Sequence, residues 1–540
     1  MIRVLLASAL LVAGCTCKPK PSPPDAGPDA DWLAGRLAPE TSTPKKGGTL
    51  VVRLALEPNG LTRLHDQFSE GTMTRITVGP IYETLARSID GVAVPSLATK
   101  WVENDLTLTI SLREGVTFHD GAPLTSADVK ATLDLVMDST KPTAGFRSSL
   151  ETLKSIDAPD AHTVVVRWSK PSFLATHTVL TALPILPAHA LTGDFDTLPL
   201  HRAPIGTGPF KFERWEPGVS LSYVRADERA SLDRIVFRFV KDDVAAMQAF
   251  EKGEFDVMTR VSPQAWRALE SQPWAWRGYQ RVRFTENAYV WIGFNQRLPL
   301  FANVQVRRAL AAAYPADVIE HSVDLGLEPR TSCPWASHSK SCDPNVKPIV
   351  FDLDVAKAVL ADAGWNDSDH DGVLDRRGQR FSFSFLIAAQ SVKMNKLVPL
   401  YVDTLKQVGV EARTSTVDVS AYMSRVRAHD FEAMALSWSA ADVVQDNFDQ
   451  FHSSQTEQGS NYVGYRNPEV DALLERIRGE LDPLARTALE REAHRRIFED
   501  QAYLFMGQRP SLDAVKRSVH GVRPSLAGYD FAAMWLEPTP

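Results

Sequence analysis

From Gly47 to about Val522 the hydrophobic period of this chain keeps switching between two and about 3.6 residues, and no other feature limits its possible folds as much. Gly47-Gly48-Thr49-Leu50-Val51-Val52-Arg53-Leu54 sets glycines before a β-rich run, which predicts an opening strand. Leu106 to Leu112 alternates apolar and hydroxyl residues, and Thr125-Ser126-Ala127-Asp128 carries the capping hydroxyl and first-turn acid of a helix start. The middle repeats the switch: a strand over Ile235 to Val240, a helix over Val244 to Phe250, and a turn at Gly253-Glu254-Phe255-Asp256 entering a strand at Val257. Later, Leu397, Leu400, Tyr401, Leu405 and Val408 share one helical face, followed by a strand over Val410 to Val419, a helix over Ser420 to Ala428 and a strand over Phe431 to Trp438. This wiring predicts an α/β protein in which parallel strands are covered by crossover helices. Strands in the first, middle and last thirds, with no exact internal repeat, predict two α/β lobes with the chain passing between them.

At 540 residues the chain has room for about three domains. With 44% hydrophobic and 23% charged residues it is neither fibrous nor largely disordered. Its 59 basic and 66 acidic residues give a net charge of -7, which argues against nucleic acid as the main partner. The N-terminus adds a destination. Met1-Ile2-Arg3 is a short positive region, and Val4 to Val12 is an apolar stretch of signal-peptide length, too short to cross a bilayer. It ends in Val12-Ala13-Gly14-Cys15, which resembles a bacterial lipoprotein processing box and predicts removal of residues 1–14 and lipidation of Cys15. Lys18 to Pro44 is rich in Pro, Ala, Asp and Ser, so residues 15–44 are expected to act as a tether. Cys17 lies in the same segment, leaving Cys333 and Cys342, which close a short Ser/Pro-rich loop. In an oxidising compartment that pair reads as a disulfide rather than a metal site. No later segment has 18 consecutive apolar residues.

A set of phrases along the mature chain then resembles the large extracytoplasmic solute-binding proteins of oligopeptide, dipeptide and nickel ABC importers, solute-binding protein family 5. They are Gly47-Gly48-Thr49-Leu50; Leu112-Arg113-Glu114-Gly115-Val116-Thr117-Phe118-His119-Asp120-Gly121 with Thr125-Ser126-Ala127-Asp128-Val129; Gly206-Thr207-Gly208-Pro209-Phe210; and Gly253-Glu254-Phe255-Asp256-Val257. Phe294-Asn295 with Val306-Arg307-Arg308-Ala309-Leu310, Ala363-Gly364-Trp365, and Tyr465-Arg466-Asn467-Pro468-Glu469-Val470-Asp471 complete the set. Singly each is weak, and their specificity lies in the shared order and spacing. Most read as structure: Gly121, Gly206 and Gly208 as positions needing unusual backbone angles, Pro209 as a fixed φ, Tyr465 to Asp471 as a loop entering a helix. His119 and Asp120, adjacent in a tight turn, are expected to point apart rather than form a catalytic pair. The resemblance implies a two-lobe periplasmic-binding-protein fold of the class C type with an extra domain inserted in the N-terminal lobe: domain I at 45–84, 196–284 and 505–540, domain II at 85–195 and domain III at 285–504. It implies hinge crossings near Phe284 and Tyr503, a monomer, and ABC permease subunits as partners of an exported protein facing the periplasm or cell exterior.

For ligand contact the resemblance points to Leu436-Ser437-Trp438-Ser439-Ala440-Ala441-Asp442 and on to Asp446-Asn447-Phe448. Peptide-binding relatives carry a carboxylate three residues after the tryptophan, facing the peptide ammonium; here Ala441 stands there and the acid comes one later, at Asp442. The arginine that dipeptide binders offer to the carboxylate is missing from Ala388 to Val392. A longer peptide held by its backbone, or another small polar solute, therefore fits better than a dipeptide. Glu57, Pro58 and Asn59 follow the first strand where the cleft is expected, with a plain surface turn as the equal alternative; Trp438 reads equally as core. Separately, Asp367, Asp369, Asp371 and Asp375 with Gly372 match the first part of a calcium loop, but Gly378 replaces its twelfth-position glutamate, and a solvated acidic turn is the plainer reading. An enzyme is disfavoured: no Gly-x-Ser-x-Gly, His-Glu-x-x-His or phosphate-loop pattern occurs, and Ser337-His338-Ser339-Lys340 has the Ser-x-x-Lys spacing without the companion Lys-Thr-Gly. A non-transport sensor or chaperone lipoprotein on the same fold stays open.

Overall fold

The computed structural model describes residues 30–37, 40, 42–65, 76–89, 91–104, 106–336, 339–439, 444–457, 459–525 and 528–537. Ten strands form one sheet: β1 (Thr49–Leu54), β2 (Phe210–Glu216), β3 (Ser220–Arg225), β4 (Arg234–Phe239), β5 (Val257–Met258), β6 (Tyr279–Phe294), β7 (Ser382–Ala388), β8 (Glu411–Val417), β9 (Ala433–Ser439) and β10 (Leu504–Lys516). Their order in space is β8-β7-β9-β6-β10-β5-β1-β4-β3-β2. The sheet is mixed, which narrows the parallel-sheet expectation: β1 is parallel to β4 and β5, β7 is parallel to β8 and β9, and the remaining pairs are antiparallel.

Two long strands, β6 and β10, join the halves. They pair antiparallel from Tyr279 opposite Lys516 to Ile292 opposite Leu504. At one end β5 runs antiparallel to β10, with β1 parallel to β5; at the other β9 runs antiparallel to β6, with β7 parallel to β9. Both parallel groups therefore run toward the middle of the β6–β10 ribbon and end there. In open α/β sheets the crevice beyond the carboxyl ends of parallel strands is where ligands bind.

Four separate apolar clusters fill the two halves. Leu50, Val52 and Leu54 of β1 are fully buried with Leu108, Ile110, Val164 and Val166 of a second, four-stranded antiparallel sheet (Ala98–Asn104, Thr107–Leu112, Leu153–Asp160, Thr163–Trp168). The alternation seen in the sequence at Leu106 to Leu112 is realised there, because Leu108, Ile110 and Leu112 turn inward and Thr107, Thr109 and Ser111 outward. The helix foreseen at Thr125 spans Ser126–Met137, with Asp128 Oδ2 accepting the Thr125 N–H at 2.8 Å. In the other half, helix Val392–Gln407 buries Leu397, Tyr401 and Leu405 at helical spacing, and the Tyr401 hydroxyl donates to Leu310 O at 2.7 Å.

Two expectations are corrected. The tether does not run unstructured to Pro44: Ala30–Ala34 is a short helix, and Trp32 is 4% exposed, its indole N–H donating to Tyr279 O at 2.9 Å while the Arg281 guanidinium lies 4.8 Å from its ring. One buried tryptophan supplies apolar area that the average composition of the segment conceals. At Gly206 and Gly208 the reason is closeness, not a left-handed angle, since neither has a positive φ. A Cβ on Gly206 would lie 2.1 Å from Ile81 O, and one on Gly208 2.4 Å from Pro80 O. Gly121 does adopt a positive φ, of 90°. His119 and Asp120 do point apart: the His119 ring reaches Gly208 O at 2.9 Å, and Asp120 meets the His189 ring at 2.7 Å.

Candidate functional site

The ladder between β6 and β10 breaks where the two halves meet. Thr285 pairs with Pro510 and the next pair is Tyr289 with Gln508, so Glu286, Asn287 and Ala288 stand opposite Arg509 alone. Four charged groups gather at this bulge. Arg260, just past the end of β5, reaches Glu286 at 3.0 Å, and both side chains are less than a fifth exposed. Arg260 holds a left-handed φ of 54°, a backbone cost of about 1 kcal/mol for a non-glycine residue. Its N–H donates to Asp513 Oδ1 at 2.8 Å. Burial pulls the Arg260 guanidinium below its ordinary value, Glu286 opposes that shift, and Arg509 adds to it. Burial likewise pushes the Asp513 carboxyl up to about 6, against hydrogen bonds from the Tyr529 hydroxyl, the Arg260 N–H and Ser511 Oγ.

On the β9 side, Trp438 is half-buried. It stacks between Trp291 (5.9 Å) and Tyr462 (5.8 Å), with its indole N–H directed at the Tyr503 hydroxyl at 3.4 Å. Trp438 thus packs at the rim of an aromatic core, as its core reading expects. Ser439 is exposed at the end of β9. Asn447 is buried instead, donating to Pro334 O at 3.2 Å and accepting from Gln445 at 3.0 Å, so it shapes the loop from below. Ala440, Ala441, Asp442, Ser337 and the whole segment before Ala30, Cys15 and Cys17 included, lie outside the described residues.

Glu57, Pro58 and Asn59 line a cavity of about 650 Å³ with Arg202, Phe212 and Trp215. Both Glu57 oxygens are already engaged, by the Trp215 indole at 2.6 Å and the Gly218 N–H at 2.9 Å. Glu57 therefore anchors the cavity wall, and Asn59 follows on the same turn.

Cys333 and Cys342 are bonded, with Cα atoms 5.8 Å apart. Their loop is a bracket. His494, on helix Pro483–Glu499, accepts the Asp343 N–H on Nδ1 (3.0 Å) and meets Ser332 O through Nε2 (3.1 Å), so the residues flanking both cysteines hang on one imidazole. Within the loop, buried Trp335 donates to Gln445 O at 3.3 Å and its carbonyl accepts from Gln508 at 3.0 Å. The loop thus braces both the segment after Trp438 and the strand next to the bulge.

Arg478 bridges the two halves. It pairs with Asp446 at 2.5 Å, stacks on Phe448 at 3.8 Å, and reaches Glu151 beside the four-stranded sheet at 3.7 Å; its carbonyl accepts from Ser172 Oγ at 3.3 Å. Nearby, the Arg486 guanidinium lies 3.4 Å from the Phe173 ring centroid.

The acidic loop brings three of its four aspartates together. Asp367, Asp369 and Asp371 bring oxygens within 4.8 Å of one another, but Asp371 is paired with Arg380 and Asp375 accepts from Ser368 N and Oγ. Gly378 stands where the bidentate acid of a calcium loop would be, so the loop matches the solvated acidic turn more closely than a complete calcium loop. The guanidinium already supplies the positive charge.

None of the motif residues retained from the sequence includes Arg260, Glu286, Arg509, Trp335, Arg478 or His494. Arg260 follows the Gly253 to Val257 turn, Glu286 stands beside the hinge crossing expected at Phe284, and Trp335 lies within the Cys333–Cys342 loop, whereas Arg478, His494 and Arg509 carry no local signal.

Two halves joined by a bulged ribbon, with parallel strands ending at a charged and aromatic crevice, define a cleft-type solute receptor. The chain matches the model of the bacterial extracellular solute-binding proteins, family 5, over residues 92–460 and belongs to that family. It is 28% identical to the oligopeptide-binding protein AppA of Bacillus subtilis over 99% of this chain and 98% of the relative, and 26% identical to protein XP55 of Streptomyces lividans over 89% and 88%. Among solved structures, B. subtilis AppA in complex with a nonapeptide superposes with a TM-score of 0.78 at 26% identity, covering 92% of this chain and all of that one. Brucella suis NikA, in complex with Fe(III)-EDTA, shares the fold with a TM-score of 0.81 at 20% identity, covering 91% and 100%.

Proposed function

We propose that this protein captures a peptide, or a similar small polar solute, in the crevice at the β6–β10 bulge and delivers it to the membrane subunits of an ABC importer. The observation that carries this reading is the convergence of two sets of parallel strand ends on one junction of stacked aromatic and charged groups, the arrangement that encloses ligands when lobes close. The resemblance to a protein solved with a nonapeptide supports peptide length beyond two residues. In this reading domain I comprises 45–84, 196–284 and 505–540, domain II 85–195 and domain III 285–504, and the bulge at Thr285 to Tyr289 absorbs the hinge motion.

Mass spectrometry of solute released from the denatured, purified protein is expected to show peptides, with calorimetry on synthetic copies giving saturable binding. Trp438→Ala is expected to weaken that binding by roughly 2–3 kcal/mol, because it removes an aromatic wall, while Trp291 and Tyr503 keep the core stacked. Undiminished binding would place the solute away from the end of β9.

The export segment supports anchorage at Cys15. Cys15→Ser is expected to shift the protein from the membrane to the soluble fraction, since only the acylated cysteine holds it there; continued sedimentation with membranes would refute lipidation. Among the described residues no helix is long and apolar enough to cross a membrane.

A further inference from the structure

We infer that Arg509 is the anchor for an acidic group of the captured solute. This rests on the peptide-capture reading and deepens it by naming the ligand chemistry. Arg509 is exposed and is the single residue that β10 sets against three residues of β6, so its side chain stands where the ladder opens. Strand alternation puts it on the face opposite Gln508, whose buried amide is committed to Trp335 O, and on the face of Ser511 and Asp513.

The neighbouring acids are already committed. Glu286 is paired with Arg260, and Asp513 is engaged by the Tyr529 hydroxyl, Ser511 Oγ and the Arg260 N–H. Among the described residues no carboxylate lies within ion-pair distance of Arg509. Arg260 stands close enough to feel its repulsion, so the chain has placed two guanidinium groups together and neutralised only one of them directly. An incoming carboxylate at Arg509 would relieve that repulsion and gain a planar, bidentate donor pair. The acid group is a carboxylate of a peptide, either its C-terminus or a glutamate or aspartate side chain; both present the same pair of oxygens.

The test uses the full mature protein and four heptapeptide pools of matched sequence, with a C-terminal carboxylate or amide and with glutamate or glutamine at one central position. Wild type is expected to bind one of the acidic forms roughly tenfold or more tighter than its neutral twin, and the arm that shows the difference identifies which carboxylate is held. Arg509→Gln should abolish that preference while leaving the neutral pool and the melting temperature unchanged; Arg509→Lys should retain part of it. Peptides binding without acid preference, or an equal loss for acidic and neutral pools in Arg509→Gln, would overturn the assignment and leave peptide capture standing. Failure of every pool to bind wild type would overturn both.

Discussion

Replacing Gly206 with alanine is expected to destabilise the fold by about 3 kcal/mol or more, at the upper end of what overpacking does. The new methyl would sit 2.1 Å from Ile81 O and 2.8 Å from Ile81 C, and these are backbone atoms that cannot swing aside. They are also fixed from several directions. Gly208 N donates to Ile81 O at 2.8 Å, Phe210 N to Pro80 O at 3.1 Å, and His119 N to Gly206 O at 2.9 Å. Segments near residues 80, 119 and 208 are knotted together here, so relaxing one strains the others. Gly218→Ala is the matched control: its φ is 73° and no atom lies within 4 Å of the added Cβ, so only the left-handed backbone is penalised, at about 1 kcal/mol. Urea denaturation of the two variants should separate them clearly. Equal losses would mean that backbone angle, not close approach, explains Gly206.

The second large effect is expected on acidification. His494 is fully buried; Nδ1 accepts the Asp343 N–H, which requires Nε2 to carry the proton that faces Ser332 O. A second proton on Nδ1 would meet another N–H. Burial accordingly lowers the imidazole from 6.5 to about 4, opposed by Ser332 and Asp343. Because the folded value lies below the unfolded one, the stability that comes from keeping His494 neutral is present above pH 6.5 and is lost as pH falls toward 4. By pH 4.5 the loss amounts to about 2–3 kcal/mol. Asp513, raised to about 6, contributes with the opposite sign over the same range, so the histidine effect is read as a difference between proteins. His494→Gln should be less stable than wild type at pH 7.5 and should lose the part of the pH dependence that falls between 6.5 and 4.5. Parallel pH profiles for the two proteins would show that the imidazole does not titrate in unfolding.

Much of the architecture is legible in the sequence because it is written in local periodicity. Leu108 and Ile110 alternate, Leu397, Tyr401 and Leu405 return every four residues, and Thr125 caps with Asp128; each pattern needs only its own neighbours to be recognised. The order of motifs fixed the family for the same reason. The crevice was harder to read because its groups are brought together by pairing across long sequence distances. Arg260, Glu286 and Arg509 come from three separated stretches, and Arg509 stands in a run with no motif of its own. Trp438 carried a signal through its strand, whereas Trp335 became part of the site only through the disulfide loop that folds it onto Gln445 and Gln508. Trp32 shows the opposite failure, where a polar average hid one residue with enough apolar surface to dock.

Arg478 holds Asp446 and Phe448 on one side and reaches Glu151 and Ser172 on the other. Arg478 therefore links the Asp446 and Phe448 contacts to the meeting of the two halves, through its guanidinium toward Glu151 and its backbone carbonyl toward Ser172. Within the proposed closing motion these are linked: a solute that favours the Asp446 and Phe448 contacts favours closure by the same factor by which closure favours those contacts. In the proposed function, a change at the crevice would then be felt at the Glu151 and Ser172 contacts, away from the solute itself.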